Sequence, residues 1–114
     1  MKKNNRKIGE LFEDKACDQL VDMGYEIIAR NYRCTFGEID IIAKDRKYVV
    51  FCEVKYRKSS RYGYAYEAVN FAKQQRIRKI AMHYLLQNKW MGVSCRFDII
   101  GFDNEAFSHF KNAF

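Results

Sequence analysis

Two stretches of the chain carry apolar residues at intervals of three and four, and four shorter stretches are rich in apolar, β-branched and aromatic residues. The first pattern is typical of a helix with one buried side, and the second of a β-strand that buries at least one face. Gly24 follows the first helical stretch, where a glycine commonly caps the end of a helix. The predicted helices span residues 8–23 and 67–87, and the predicted strands span residues 25–33, 38–44, 48–56 and 95–102.

These elements follow one another in the order helix, three strands, helix, strand. Three consecutive strands favour a meander, and a helix that leads to a further strand is a crossover that can pair two strands in parallel. Residues 106–114 have no clear pattern, so we expect four or five strands. With 114 residues and 48% hydrophobic content, the chain is predicted to form one α/β domain over residues 1–114, a mixed sheet flanked by helices, in which residues 1–7 are a flexible basic tail.

The second and third predicted strands carry charged residues where a buried strand rarely has them. Asp40 lies in the run GEIDIIA, and Glu53 and Lys55 lie in the run FCEVKYR. Because side chains alternate along a strand, Glu53 and Lys55 point to one face while Val54 points to the other. An even-length loop centred between residues 46 and 47 would place Asp40 opposite Glu53, with their Cβ atoms about 5 Å apart.

Two carboxylates at this distance repel each other by roughly 3 kcal/mol at an effective dielectric of about 20, so the pair requires a cation or a shared proton. Mg²⁺ suits such a site, because it takes oxygen ligands and often binds one or two carboxylates together with substrate phosphates. Lys55 would add positive charge where a scissile phosphate accumulates negative charge. The alternative is that Glu53 and Lys55 form a weak, exposed ion pair, but that interpretation leaves the facing Asp40 unexplained.

The formal net charge of +7 and the pI near 9.3 favour a polyanionic partner, most simply a nucleic acid, and we favour DNA over RNA. The alternative is a solvated basic surface. At the end of the third strand and in the loop after it, Tyr56, Tyr62, Tyr64 and Tyr66 either stack on unpaired bases or pack on the core. The residues expected to bind nucleic acid are Arg33, Arg57, Lys58, Arg61, Lys73 and Arg76.

Zinc binding and membrane spanning are both disfavoured by the sequence. The four cysteines have no CxxC spacing, and His83 and His109 stand far apart. Scattered cysteines at helix and strand positions suit a reducing compartment. No apolar stretch approaches the ~20 residues of a membrane span, and the N-terminal run KKNNRK leads into an amphipathic pattern rather than a signal peptide. We therefore predict a cytoplasmic protein.

Motifs spread over nearly the whole chain resemble those of the YraN-like family of small bacterial proteins, and the order of elements resembles the PD-(D/E)xK nuclease superfamily. The motifs are the helix that bears Glu13, the runs GEIDIIA and FCEVKYR, the segment from Glu67 to Lys73, and RFDII near the end. GEID followed by the EVK strand is a specific pair. Phe12 departs from the glycine that we expect there in the family.

The resemblance implies a restriction-endonuclease-like fold and a metal-dependent nuclease that hydrolyses DNA or structured nucleic acid, including branched or junction DNA. The ligands of Mg²⁺ or Mn²⁺ would be Asp40, Glu53 and the backbone carbonyl of Val54, and Lys55 would orient the attacking water or stabilise the transition state. Glu13 resembles a helix carboxylate that junction resolvases of this fold bring to the metal; otherwise it is an ordinary solvated residue of a helix surface.

Several alternatives stay open on the sequence. Glu38 lies on the same face as Asp40, so it is either a further ligand or the end of a strand, whereas Asp98 is interpreted as structural. The protein is either a nuclease or a catalytically inactive nucleic-acid-binding accessory protein with the same fold. Junction cleavage would need two sites and hence a homodimer, for which the apolar pattern indicates no obvious interface.

Overall fold

The computed structural model describes residues 2–58, 69–104 and 106–114 of the chain. In these residues the elements follow in the order α-β-β-β-α-β-β, which confirms the predicted α/β domain. The helices are α1 (Lys2–Asp22) and α2 (Phe71–Gln87). The strands are β1 (Glu26–Cys34), β2 (Gly37–Asp45), β3 (Tyr48–Arg57), β4 (Cys95–Asp103) and β5 (Ala106–Phe110).

The five strands form one sheet in the order β1-β2-β3-β4-β5. The strands β1, β2 and β3 pair antiparallel, β3 and β4 pair in parallel, and β5 returns antiparallel to β4. The sheet is therefore mixed, as predicted. Its meander comes from three consecutive strands, and its parallel pair comes from the crossover through α2.

The two helices pack on opposite faces of this sheet, each over its own apolar cluster. From α1, Phe12, Ala16 and Leu20 follow one another at intervals of four, and each is at most 5% exposed. Burying one large apolar side chain of this kind stabilises a fold by about 1.5–3 kcal/mol. The buried residues of α2 are Ile77, Ile80, Ala81, Tyr84 and Leu85. Helical periodicity therefore identified the core face of α2, but only part of that of α1, because Ile8, Leu11 and Met23, which belong to the same predicted apolar stripe, are exposed.

The helices begin at other residues than the sequence predicts. α1 begins at Lys2, so residues 2–7 are helical where a flexible tail was expected; they carry no apolar residue that would reveal the period. α2 begins at Phe71, because the side chain of Asn70 accepts a hydrogen bond from Lys73 N at 2.9 Å and caps the helix there. The first two residues predicted for this helix, 67 and 68, lie outside the described residues.

The last strand, β5, had no clear pattern in the sequence. It lies at the edge of the sheet, paired with β4 on one side, and its residues are half-buried or exposed. An edge strand of this kind has no continuous apolar face, so alternation in its sequence is weak. Among the described residues the strand count is therefore five.

The strands β2 and β3 separate before either of them ends. Their connection is centred between residues 46 and 47, as predicted, and their cross-strand pairs end at Ile41 and Cys52. Beyond this pair, β2 continues beside β1 and β3 continues beside β4. We call the opening between the two diverging strand ends the fork. Asp40 and Glu53, the next residue of each strand, lie at its base.

In the part of the chain that the structure describes, neither helix is long and apolar enough to cross a bilayer. The thiols of Cys17, Cys34, Cys52 and Cys95 are all free, and that of Cys52 is buried in β3.

A second, fully buried charge lies in β4. Asp98 is 0% exposed and accepts hydrogen bonds from the guanidinium of Arg96, from His109 Nε2 and from the backbone N–H of Asn112. Burial alone would raise the pKa of this carboxyl, but the hydrogen bonds from His109, Arg96 and Asn112 outweigh it and lower the pKa. Arg96 also binds Asp45 at 3.0 Å and so joins β4 to the end of β2. This network agrees with the structural interpretation of Asp98.

Asp98→Asn is expected to lower the free energy of unfolding by about 3 kcal/mol, because it leaves the Arg96 guanidinium partly uncompensated in a buried site. Urea denaturation followed by circular dichroism at neutral pH measures the change. Asp18→Asn, on an exposed position of α1, is the matched control and should change the value by less than about 0.5 kcal/mol. Equal stabilities of the two variants would contradict the structural role.

Candidate functional site

A pocket of about 390 Å³ opens at the fork, and residues from α1, β2, β3 and α2 form its walls. Helices from both faces of the sheet reach this pocket because the diverging strands leave a gap between the two layers. The pocket gathers eight of the candidate site residues that the sequence singled out: Glu13, Glu38, Asp40, Glu53, Val54, Lys55, Lys73 and Arg76.

Asp40 and Glu53 lie side by side at the base of the fork. One carboxylate oxygen of Asp40 accepts a hydrogen bond from Val54 N at 2.8 Å, and Glu53 is 6% exposed. The pKa of Asp40 is raised to about 8 by burial, and then by the negative charge of Glu53 and a hydrogen bond to Glu53. Val54 N–H and Lys55 act in the opposite direction. Near neutral pH Asp40 therefore retains a proton, which its hydrogen bond to Glu53 places between the two carboxyl groups, one of the two ways that their sequence positions allowed.

The strand β2 is irregular next to Asp40. Ile39 and Ile42 belong to the cluster under α2, whereas Ile41 and Ala43 belong to the cluster under α1. Strict alternation would put Ile39 and Ile41 on one face. The alternation is therefore interrupted beside Asp40, at the level where β2 leaves β3.

Two lysines compensate the charge of Glu53. Lys55 Nζ lies 3.8 Å and Lys73 Nζ lies 3.4 Å from the same oxygen, Glu53 Oε1. Burial, together with a hydrogen bond from Lys73, lowers the pKa of Lys55. The sequence assigned Lys73 to nucleic-acid binding, and nothing in the sequence indicated its contact with Glu53. That contact arises because α2 packs across the fork.

Glu13 reaches the pocket from α1, but its ion pair is with Arg30, at 3.6 Å. Burial and then the charge of Asp40 raise the pKa of Glu13, while Asn31 and Arg30 act against this shift. Within residues 2–58, 69–104 and 106–114, no three His, Cys, Asp or Glu side chains are grouped closely enough to hold a metal ion. The structure thus joins Asp40 with Glu53 and leaves Glu13 at the pocket wall.

Some of the remaining predicted residues line the pocket and others do not. Glu38 lines the pocket and forms an ion pair with Arg33, whose side chain is largely exposed. Arg76 is exposed on α2 and lines the pocket. Arg57 is the last residue of β3, and Lys58 comes directly after it. The predictions for Arg61, Tyr62, Tyr64 and Tyr66 fall outside the described residues.

Phe12 closes the α1 side of the pocket, at the position where a glycine was expected. Its ring stacks on Tyr56 with centroids 4.0 Å apart and lies 4.9 Å from the ring of Phe102. The larger side chain therefore joins the core beneath α1 and is 5% exposed. The pocket remains open despite this substitution.

The donor set at the base of the fork fits a hard divalent cation. Both groups are carboxylates, which Mg²⁺ and Mn²⁺ prefer over nitrogen or sulfur. A proton relieves the repulsion between Asp40 and Glu53, and a cation held by both residues would relieve it in the same way. Val54 also lines the pocket beside Asp40.

The shared proton yields a prediction for the metal-free protein. Between the ordinary carboxyl pKa of about 4 and the value of about 8, folded Asp40 holds a proton that the unfolded chain has released. This contribution to the free energy of unfolding is present at acidic pH and is lost as pH rises through about 8, with a slope of at most about 1.4 kcal/mol per pH unit.

Asp40→Asn removes this titration, so the variant should become more stable relative to the wild type as pH rises from about 5 to about 8. Urea denaturation in EDTA across that range measures the difference. Glu26→Gln, an exposed carboxyl at the start of β1, is the control. A wild-type minus Asp40→Asn difference that stays constant with pH would contradict the shared proton.

Comparisons with known proteins agree on one family. Residues 12–102 match the model of the Uncharacterised protein family UPF0102. A UPF0102 protein of Fusobacterium nucleatum is 43% identical, with 96% of this chain and 92% of the relative covered. A UPF0102 protein of Lachnoclostridium phytofermentans is 45% identical, with coverages of 96% and 95%. The YraN-like resemblance is therefore confirmed at the level of the family, and the chain belongs to UPF0102.

Proposed function

We propose that this protein is a metal-dependent nuclease with a PD-(D/E)xK, restriction-endonuclease-like fold, which hydrolyses phosphodiester bonds in DNA or structured nucleic acid. The observation that carries the proposal is the buried pair of Asp40 and Glu53, which lies beside Lys55 in an open pocket. The topology supports it, since a meander, a crossover helix and a parallel strand hold an acid and a Glu-x-Lys triplet on adjacent strands.

The ligands of Mg²⁺ or Mn²⁺ would be Asp40, Glu53 and the backbone carbonyl of Val54, with Glu13 as a further candidate at the pocket wall. A divalent cation bound there supplies Lewis-acid stabilisation of phosphate charge and lowers the pKa of bound water. Burial excludes bulk water from Glu53, which is 6% exposed. Charges in such a site act through a lower effective dielectric than they would at the surface.

The cationic side chains around the pair suit a polyanionic substrate. Lys55 holds its ammonium group beside Glu53, where negative charge would develop on a reacting phosphate. Lys73 and Arg76 extend the positive charge along the α2 wall of the pocket. Arg57 at the end of β3 and Lys58 directly after it add further positive charge. These groups would hold the phosphate backbone without regard to base sequence.

A second candidate function is a catalytically inactive nucleic-acid-binding accessory protein. The observation that favours it is the double contact of Glu53 with Lys55 and Lys73, which compensates its charge without a metal ion. In this role the same cations would bind phosphates, and the carboxylates would serve the structure. The two candidates differ in what Asp40 contributes.

Asp40→Asn and Lys55→Ala should each slow cleavage by about 100-fold or more, because each removes charge stabilisation at the reacting phosphate. The measurement is cleavage of end-labelled single-stranded, duplex and branched DNA, and of RNA, in Mn²⁺ or Mg²⁺. Glu26→Gln, far along β1 from the fork, is the control and should cleave as the wild type does. No cleavage by the wild type, or equal cleavage by all four proteins, would contradict the nuclease.

Binding measured in EDTA separates the accessory function from the nuclease. For either function, affinity for DNA should fall steeply between about 50 and 200 mM salt, because each phosphate contact releases counterions. If the wild type binds in this way and Asp40→Asn binds no more weakly, but no metal supports cleavage, the accessory function is favoured. Binding that does not respond to salt would count against both functions.

A further inference from the structure

An exposed aromatic residue lies beside the pocket, at the tip of the β1–β2 hairpin. Phe36 lies between the paired residues Cys34 and Gly37 and is 49% exposed. Single exposed apolar residues are common and need no explanation. This ring differs from such a residue in two respects: it contacts neighbouring side chains, and the cations Lys79 and Arg76 lie at or next to the hairpin tip.

The ring of Phe36 is held in place from α2 and β1. Lys79 Nζ lies over the ring, 6.0 Å from its centroid, and the ring of His83 meets it edge-on at 6.5 Å. His83 is itself fixed by a 2.8 Å hydrogen bond between its Nδ1 and the hydroxyl of Tyr32. A ring held in this way offers contact area at little cost in conformational entropy.

The hairpin tip also packs directly against the α2 wall of the pocket. A Cβ atom on Gly37 would lie 3.4 Å from Cδ of Arg76 and 3.4 Å from Cδ1 of Ile80, and the φ of Gly37 is +135°. Glycine permits this backbone angle, whereas a Cβ atom at 3.4 Å would make only an ordinary van der Waals contact. Gly37 and Arg76 line the pocket, so Phe36 lies one residue away from its wall.

We propose that Phe36 stacks on an unpaired base of a nucleic-acid strand, beside the cations Arg76 and Lys79; these three residues are together called the hairpin platform. The strand's phosphates would contact the cations, and its neighbouring phosphate would enter the pocket at the fork. Charge complementarity favours this partner, because an aromatic ring among exposed cations matches a base with its phosphates. This inference rests on the proposed function for the identity of the reacting phosphate.

The hairpin platform narrows the substrate class. In a continuous duplex each base is stacked on both sides, so its face is closed to a protein ring. A single strand, a flap, a frayed end or a branch point presents a free base face. The hairpin platform therefore predicts a preference for unpaired or branched nucleic acid over a continuous duplex. This site is distinct from the tyrosines of residues 62–66, for which the sequence allowed a stacking role.

The test measures binding in EDTA, where cleavage does not occur. Fluorescence anisotropy is recorded with a single-stranded oligonucleotide, a three-way junction and a continuous duplex of matched sequence. Phe36→Ala should weaken binding to the single strand and the junction by about 10-fold, the effect of losing one stacked base, and leave duplex binding unchanged. Phe36→Trp should retain the affinity, and its fluorescence should be quenched by the single strand.

Two variants serve as controls. Phe110→Ala removes an aromatic residue that is 36% exposed on β5, at the opposite edge of the sheet, and should bind all three ligands as the wild type does. Arg76→Ala should weaken binding to all three ligands to a similar extent, because a phosphate contact does not depend on base pairing. Circular dichroism confirms that Phe36→Ala and Phe36→Trp are folded.

The outcomes separate this inference from the proposed nuclease. If Phe36→Ala binds every ligand as the wild type does, or loses duplex and single-strand binding equally, the hairpin platform is wrong even where the wild type cleaves DNA. If binding depends on Phe36 as expected but no metal supports cleavage, the hairpin platform stands and the nuclease does not. A Phe36→Trp variant that loses affinity as Phe36→Ala does would also overturn the stacking contact.

Discussion

The register of the β2–β3 hairpin is the constraint on which the site depends. A connection centred between residues 46 and 47 sets the pairing of the two strands, and the pairing ends at Ile41 and Cys52. The next step of the same register brings Asp40 beside Glu53, where repulsion alone would cost roughly 3 kcal/mol. A slip of one residue would turn the side chains of one strand to the other face and separate the pair.

Several parts of the fold balance that repulsion. A proton is retained on the pair, Val54 N–H binds Asp40, and two lysines approach Glu53. Of these groups only Lys73 comes from outside the two strands, because α2 crosses the fork on its way from β3 to β4. The crossover helix that makes the sheet mixed therefore also delivers a charge to the site. On β4, Asp98 lies opposite Cys52 and has its own donors, Arg96, His109 and Asn112.

The fork also explains why polar chemistry and an exposed ring occur close together. Where β2 leaves β3, it stays paired with β1, so the tip of the β1–β2 hairpin stands beside the opening. Gly37 at this tip packs against Arg76 of α2, and both residues line the pocket. A strand of nucleic acid that placed a phosphate in the fork would have the ring of Phe36 within the reach of a neighbouring base. The proposed chemistry and the proposed substrate class thus arise from one feature of the sheet.

Much of the fold followed from local patterns. Apolar spacing located both helices and four strands, the strand order indicated a mixed sheet, and GEID with the EVK strand indicated the facing carboxylates. The ends of elements, and the edge strand, were harder to predict from the sequence. The first turn of α1 has no apolar residue, the start of α2 depends on the Asn70 cap, and β5 is an edge strand with no continuous apolar face. Each of these depends on interactions that hydrophobic periodicity does not report.

By itself the sequence determined that Asp40, Glu53 and Lys55 would meet, because a short connection fixes which residues of a hairpin lie opposite each other and Glu53 and Lys55 are two residues apart on one strand. Only the tertiary structure decided what surrounds them. Lys73 on Glu53, Arg30 on Glu13 and the ring of Phe36 beside the pocket join residues from different elements. Their proximity depends on how the helices pack across the sheet, and no spacing along the chain encodes that packing directly.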